Sequence, residues 1–399
     1  MPEAVIVSTS RTAIGRANKG SFVDVRPDDM SSFILTDVMS KIDLDPTEVE
    51  DVIWGIGQPG GEGGYNIARV ISSMRGLELP GVTVNRYCSS SLQTIRMAAH
   101  AIKAGEGDCF VAGGVETVSR YSQGASDTGS HNEKFADAEG RTKSRAGGGA
   151  DSWQAPAGLP DIYIAMGQTA ENVVQQTGIS RQRQDEWGVQ SQNRAEAAQA
   201  RGLFEQEITP YTLANGTIIS QDDGIRAGTT YEKVSTLSPV FRPDGTVTAG
   251  NACPLNDGAA AVVVMSDTKA KALGLDPIAR IVSSGVSALN PEIMGLGPID
   301  ASRQALARAG MTVADLDQIE INEAFAVQVV GSADVLGLDE SKLNPNGGAI
   351  ALGHPFGMTG ARIMTTLLNG LADSGGTIGL ETMCVGGGQG MAMIVERLN

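Results

Sequence analysis

The chain repeats itself. PTEVEDVIWGIG (46–57) and VADLDQIEINEA (313–324) share one apolar pattern: Val49 aligns with Leu316, Val52 with Ile319 and Trp54 with Ile321, each 267 residues further on (316 minus 49). The order turn, helix, then strand ending in glycines also recurs. It appears first as VNRYCSSSLQTIRMAAHAIKAGEGDCFVAGG and then as NPNGGAIALGHPFGMTGARIMTTLLNGLADSGGTIGLETMCVGGG. A duplicated unit of this size predicts two halves that pack against each other, each burying a face the other supplies. Shifting Cys88 by the same interval lands on Pro355, beside His354, so two distant residues occupy matching helix entrances.

Within each half, strand patterns alternate with helix patterns. Val5 to Ser8 reads as a buried strand and Asp28 to Ile42 as a helix after its PDD start. Leu92, Ile95, Ala99 and Ile102 share one helical face, which predicts a helix over Ser89 to Ala104, and a second is expected over Met358 to Leu371. The fold class is therefore α/β, with a mixed, largely parallel sheet layered by helices. Residues 121–247 break the alternation and read as an insertion. It holds the helical patterns TAENVVQQTG and RQRQDEWGVQSQNRAEAAQARG, and the low-hydrophobicity stretch ASDTGSHNEKFADAEGRTKSRAGGGADS (125–152) reads as surface loop. The expected domains are residues 1–120 with 248–275, the insertion 121–247, and residues 276–399.

Composition narrows the function classes. A formal charge of −16 argues against nucleic acid or an anionic membrane as partner, since both demand a basic footprint. No apolar run reaches the ~18 residues of a membrane span. The start MPEAVIVSTSRT moves from an acidic residue straight into a strand rather than a signal peptide, so a cytoplasmic location is expected. The four cysteines, 88, 109, 253 and 384, form no CxxC pair, which predicts free thiols and no metal site.

Cys88 is at the edge of a helix start, where backbone N–H groups and the macrodipole favour an anion, and a thiolate there is expected to titrate below the usual ~8.5. Ser89 to Ser91 read as cap and first-turn residues. A nucleophilic thiol needs a base, and the chain has three histidines. His100 is twelve residues along the same helix, ~18 Å away at about 1.5 Å per residue, and His131 lies in the polar loop. His354 sits in a glycine-dense turn before the second helix. Cys384, in ETMCVGGGQG, precedes glycines that leave a free N–H for a carbonyl oxygen. Asn322 ends a strand at the same edge as His354, placed to hold a water or a carbonyl. Its neighbour Glu323 has a capping explanation.

NRYCSSSLQ, AGGVETVSR, YIAMGQTAENV, TVTAGNACPLNDGAA, INEAFA, NPNGGAIALGHP and CVGGGQG together resemble the thiolase family, in order and spacing, across nearly the whole chain. The resemblance implies two duplicated βαβαβαββ halves in a layered α-β-α-β-α sandwich with an inserted loop domain. It also implies ping-pong acyl transfer, cleaving a 3-ketoacyl-CoA or condensing acetyl-CoA. Cys88 matches the nucleophile, His354 its base and Cys384 the second acid/base. Asn322 would hold an oxyanion water, and the N–H groups of Cys88 and Gly386 would form another oxyanion hole. Met166, Arg226, Phe241, Cys253 and Phe325 match positions around coenzyme A, a co-substrate, with no cofactor bound permanently. A homodimer or dimer of dimers and a partner enzyme of β-oxidation follow from the same resemblance.

Four departures stand out. Ser91 replaces a glycine usual in the nucleophile motif, which is expected to constrain how an acyl group approaches. Cys253 stands where many members have a serine bonded to the pantetheine. Ala165 replaces a histidine of short-chain members, which predicts room for longer or branched acyl groups. No basic, histidine-containing loop is recognisable between Gln123 and Gly158, leaving dimer and tetramer open. The alternatives are a ketoacyl synthase, which would pair its nucleophile with two histidines, and a silent lipid-binding module, which would have lost one of Cys88, His354 and Cys384.

Overall fold

The computed structural model describes residues 2–399, and its strands form two half-sheets joined edge to edge. The first half contains β1 (Ala4–Arg11), α1 (Pro27–Ser40), β2 (Asp51–Gly55), α2 (Ile67–Met74), β3 (Gly81–Val84), α3 (Ser90–Ala104) and β4 (Cys109–Thr117). After the insertion, with helices α4 (Ala136–Ala146), α5 (Met166–Thr177) and α6 (Arg181–Ala200), the chain returns as β5 (Asn256–Ser266). The second half contains β6 (Ala279–Ala288), α7 (Gly297–Ala309), β7 (Gln318–Ile321), α8 (Ala326–Leu336), α9 (Thr359–Ser374), β8 (Ile378–Val385) and β9 (Gln389–Arg397).

The strand order is β7-β8-β9-β6-β1-β5-β4-β2-β3, with Gly15–Arg16 pairing to β5. Among the described residues, two residue pairs, Val5 with Arg280 and Ile6 with Ala279, join the half-sheets. The duplication is visible in this order: β2 is parallel to β3 and β4, and β7 is parallel to β8. A fifth strand of the second half shrinks to one parallel bridge, Ile319 with Leu343. The expectation of a largely parallel sheet is corrected. Three pairings of the large sheet are parallel and six antiparallel. The reason is local: the turn at Gly386–Gly388 folds β9 back on β8, and β5 returns from the insertion between β1 and β4.

Helices cover both faces of each half-sheet, so β4 and β5 are buried along their whole lengths and read as apolar runs rather than alternations. α1 and α2 cover the first half-sheet and α7 the second, while α3 and α9 pack against each other between the halves. Trp54 of β2 is fully buried and donates its indole N–H to Ser31 Oγ on α1 (3.0 Å). Truncating it would cost ~3–5 kcal/mol. The stretch 125–152 is more ordered than the loop reading predicts. It contains α4, whose helix is supported by acidic residues Asp137 and Glu139 in the first turn and basic Lys143 and Arg145 in the last, matching the macrodipole.

Candidate active site

Cys88 lies in a tight turn held by Ser89, Ser90 and Asn85, whose Oδ1 accepts the Tyr87 N–H (2.8 Å). Tyr87 has left-handed backbone (φ 43°), unusual for an aromatic residue, and the turn Tyr87–Ser89 is 3-10 before α3 begins. Ser90 Oγ accepts the Arg86 N–H (2.9 Å) and donates to the Tyr87 carbonyl (2.7 Å), while Ser89 Oγ donates to the Arg86 carbonyl (3.2 Å). Ser91 points the other way. Its Oγ accepts the backbone N–H of Ala361 in the first turn of α9 (2.9 Å). Fully buried and absent from the cleft wall, it does not stand in an acyl path, and that expectation is corrected.

The second half brings its own turn to the same place, with Phe356–Met358 packed against Tyr87–Ser89. Close approach here demands glycine: a Cβ on Gly114 of β4 would meet the Gly357 carbonyl oxygen at 2.1 Å. His354 is fully buried, with its backbone N–H on Asn256 Oδ1 (3.0 Å). The Thr359 hydroxyl gives its only proton to the Pro355 carbonyl (2.7 Å), so it accepts from His354 Nδ1–H (2.7 Å). That bond fixes the tautomer and leaves Nε2 as the ring's acceptor, within 3.3 Å of the Asn322 amide N–H. Asn322 Nδ2 lies 3.4 and 3.3 Å from the two ring nitrogens, and its Oδ1 is buried without a partner among the described residues.

The electrostatics reverse one expectation. Burial pushes the Cys88 thiol up to about 11, although the N–H groups of Gly386 and of Cys88 itself oppose the rise. Desolvation outweighs the helix-start effect because the sulfur is out of water and the first turn is not yet α-helical. Burial, with the Arg362 guanidinium second, pushes His354 down to about 3. The resting pair is thus a neutral thiol and a neutral imidazole. The Cys384 thiol is held well above its ordinary range, by burial first and then by Cys88 and Cys253.

A cleft of about 300 Å³ opens beside Cys88, walled by Tyr87, Tyr163, Ala165, Met166, Phe356 and Gly386. Met166, Phe241 and Phe325 pack in one apolar cluster with Cys384, the two phenyl rings meeting edge to face at 6.0 Å. Cys253 joins them through its backbone N–H on the Ala324 carbonyl (3.1 Å). Arg226 is not brought to this cleft; its backbone N–H bonds Gln192 Oε1 (2.8 Å).

Several residues escape a reading from sequence. Glu116, inside a strand buried on both faces, accepts N–H bonds from Gly57 (2.7 Å), Gln58 (3.2 Å) and Gly357 (2.9 Å) and the Tyr121 hydroxyl (2.9 Å). It therefore ties the two halves together beside Cys88, and burial raises it to about 7. A lone acid in an apolar strand is the signal that could have found it. Glu323 is more than a cap: it is fully buried and accepts from Trp187, Ser191, Asn344 and the Ile350 N–H. His131, in the polar loop, is exposed as expected there, and its ring also stacks on the cleft residue Tyr163 with centroids 3.9 Å apart.

Two duplicated α/β halves that meet over a buried thiol and a neutral imidazole define a thiol-centred enzyme built at a half-to-half junction. The chain belongs to the thiolase family: residues 4–268 match the family description "Thiolase, N-terminal domain" and residues 275–397 match "Thiolase, C-terminal domain". It is 42% identical over 409 residues to a 3-ketoacyl-CoA thiolase of Aeromonas hydrophila, covering all of both chains. It is 40% identical over 410 residues to one of Bacillus subtilis, covering 99% of this chain and 100% of that one. The crystal structure of the Bacillus anthracis acetyl-CoA acetyltransferase resembles it with a TM-score of 0.87 at 37% identity, covering 100% of this chain and 99% of the other.

Proposed function

We propose that this chain is an acyl-CoA:acetyl-CoA C-acyltransferase that cleaves 3-ketoacyl-CoA thiolytically in β-oxidation, or runs the reverse condensation, through an acyl thioester on Cys88. One observation carries the reading: Gly386, from the second half, lines the same cleft as Cys88, from the first, and its backbone N–H favours the charged form of that thiol against burial. Such an N–H would stabilise the charge that a thioester oxygen or a thiolate gathers.

The proposed roles are these. His354 Nε2, left unprotonated by the Thr359 bond, takes the Cys88 proton as sulfur attacks the 3-keto carbon. The C2–C3 bond breaks, and Cys384 protonates the acetyl-CoA enolate carbon. Coenzyme A then enters as a thiol, gives its proton to the Cys384 thiolate and attacks the acyl-Cys88 thioester, and Cys88 leaves by taking its proton back from His354. Thiol for thiol exchange is close to balanced, so the difficult species is the enolate, and the unpartnered Asn322 Oδ1 supports a water held there. Met166, Phe241, Cys253 and Phe325 would line the pantetheine path, and Arg226 would act on the phosphates from outside the cleft. No metal or resident cofactor enters this chemistry.

The same reading divides the chain into residues 1–120 with 248–275, an inserted CoA-binding part 121–247, and residues 276–399. It includes a homodimer or dimer of dimers in the cytoplasm and a partner enzyme supplying the 3-ketoacyl-CoA. No helix among the described residues is long and apolar enough to cross a membrane. Incubation with acetoacetyl-CoA followed by mass spectrometry tests it. An acetyl adduct on Cys88 that coenzyme A removes is expected, and absence of any adduct alongside intact turnover would overturn it.

A further inference from the structure

We propose that the groove between α3 and β6, lined by Arg96, His100, Lys103 and Arg308, binds a phosphate-bearing anion. The groove is separate from the cleft at Cys88 and holds about 320 Å³. Arg96, His100 and Lys103 fall at i, i+4 and i+7 on α3, so they share one face. Arg308, from the end of α7, closes the set, and no carboxylate lines the groove.

Four basic groups without an acid are out of character in a chain with 46 acidic and 30 basic residues. None of the four takes part in an ion pair among the described residues. Their contacts are to neutral groups. Arg96 Nε donates to Ser284 Oγ (3.1 Å), Lys103 Nζ to the Ile281 carbonyl (3.2 Å) and Arg308 to the Ser284 carbonyl. The terminal nitrogens of Arg96 have no protein partner among the described residues. Ser284 Oγ, having accepted from Arg96, keeps its own proton to donate.

The groups also repel one another. Arg96 is lowered by burial, then by Arg86 and Arg308, and His100 by burial, then by Arg96, Lys103 and Arg308. Holding like charges together in a concave, half-buried site is unfavourable unless an anion offsets them. The fork of a guanidinium, an ammonium and a serine hydroxyl match a tetrahedral oxyanion with more than one charge. The volume exceeds a bare phosphate, which leaves room for a group attached to it.

Calorimetric titration of the full chain, with inorganic phosphate and separately with ADP, tests the site. Both measurements are repeated on the Lys103→Gln/Arg308→Gln double variant, whose two side chains make only backbone-carbonyl contacts. Phosphate or ADP should bind, the double variant should bind at least about tenfold more weakly, and acyl transfer should stay unchanged. Tighter ADP would make the ligand a nucleotide; tighter phosphate would make it the free anion. If the double variant does not fold, Lys103→Gln alone is compared, with the same direction expected. No binding of either titrant, equal binding by wild type and variant, or equal displacement by chloride would overturn the site.

Discussion

The hydroxyl of Ser91, in the first turn after the Cys88 turn, caps the backbone N–H of Ala361, in the first turn after the His354 turn, at 2.9 Å. One half thus satisfies an orphan donor at the helix start of the other. Ser91→Ala leaves that N–H buried and unpaired, at a cost of about 1–3 kcal/mol. Urea unfolding should show the loss, while relative rates on short and long 3-ketoacyl-CoAs stay as in the wild type. A changed chain-length profile at unchanged stability would contradict this placement.

Cys88→Ala removes the proposed acyl acceptor without disturbing the serines that hold its turn. Turnover should fall by about a thousandfold or more, with an unchanged thermal transition and no covalent uptake of label from acetyl-CoA.

The pH behaviour of Cys88 follows from its surroundings. With the thiol near 11 and His354 near 3, the resting pair is neutral across the physiological range. Alkylation by iodoacetamide, followed by mass spectrometry, should therefore accelerate with rising pH and show no plateau below about pH 8.5. A plateau beginning near neutrality would indicate a resting thiolate–imidazolium pair instead.

Thr359 positions His354 without touching a reacting atom. Thr359→Val should lower kcat by about 10–100-fold with little change in KM, because the ring loses its tautomer and orientation rather than the substrate its contacts. Thr359→Ser should restore most of the rate; failure of the serine to do so would reduce Thr359 to a role in folding.

Ala165 forms part of the cleft wall beside Cys88. Ala165→His should narrow that wall and lower kcat/KM for long-chain 3-ketoacyl-CoAs by about tenfold or more relative to acetoacetyl-CoA. An equal effect on both substrates would separate Ala165 from chain-length selection.

Much of this was legible in one dimension because the repeat did the work. Val52 and Ile319 mark equivalent strands, and Cys88 and His354 equivalent turns, so the interval alone brought two distant residues to one junction. Contacts across that junction were not legible. Nothing in SSSL says that Ser91 reaches Ala361, or in VETVS that Glu116 gathers N–H groups from Gly57 and Gly357. The thiol's direction of titration was misjudged for the same reason: a helix start can be read from local sequence, whereas desolvation depends on what packs over it. The antiparallel share of the sheet was hidden likewise, since β5 takes its place between β1 and β4 only after a long excursion through the insertion.

The narrow seam between the half-sheets, two residue pairs of β1 and β6, sets a mechanical condition on activity. Cys88 belongs to one half, and His354, Cys384 and Gly386 to the other, so a gap of a few ångströms opened across the α3–α9 contact would silence the proposed site before the apolar core that the halves share came apart. Inactivation under mild denaturant would then precede any loss of helical signal. Turnover would serve as a ruler for the distance between two bodies, more sensitive than any spectroscopic measure of their folding.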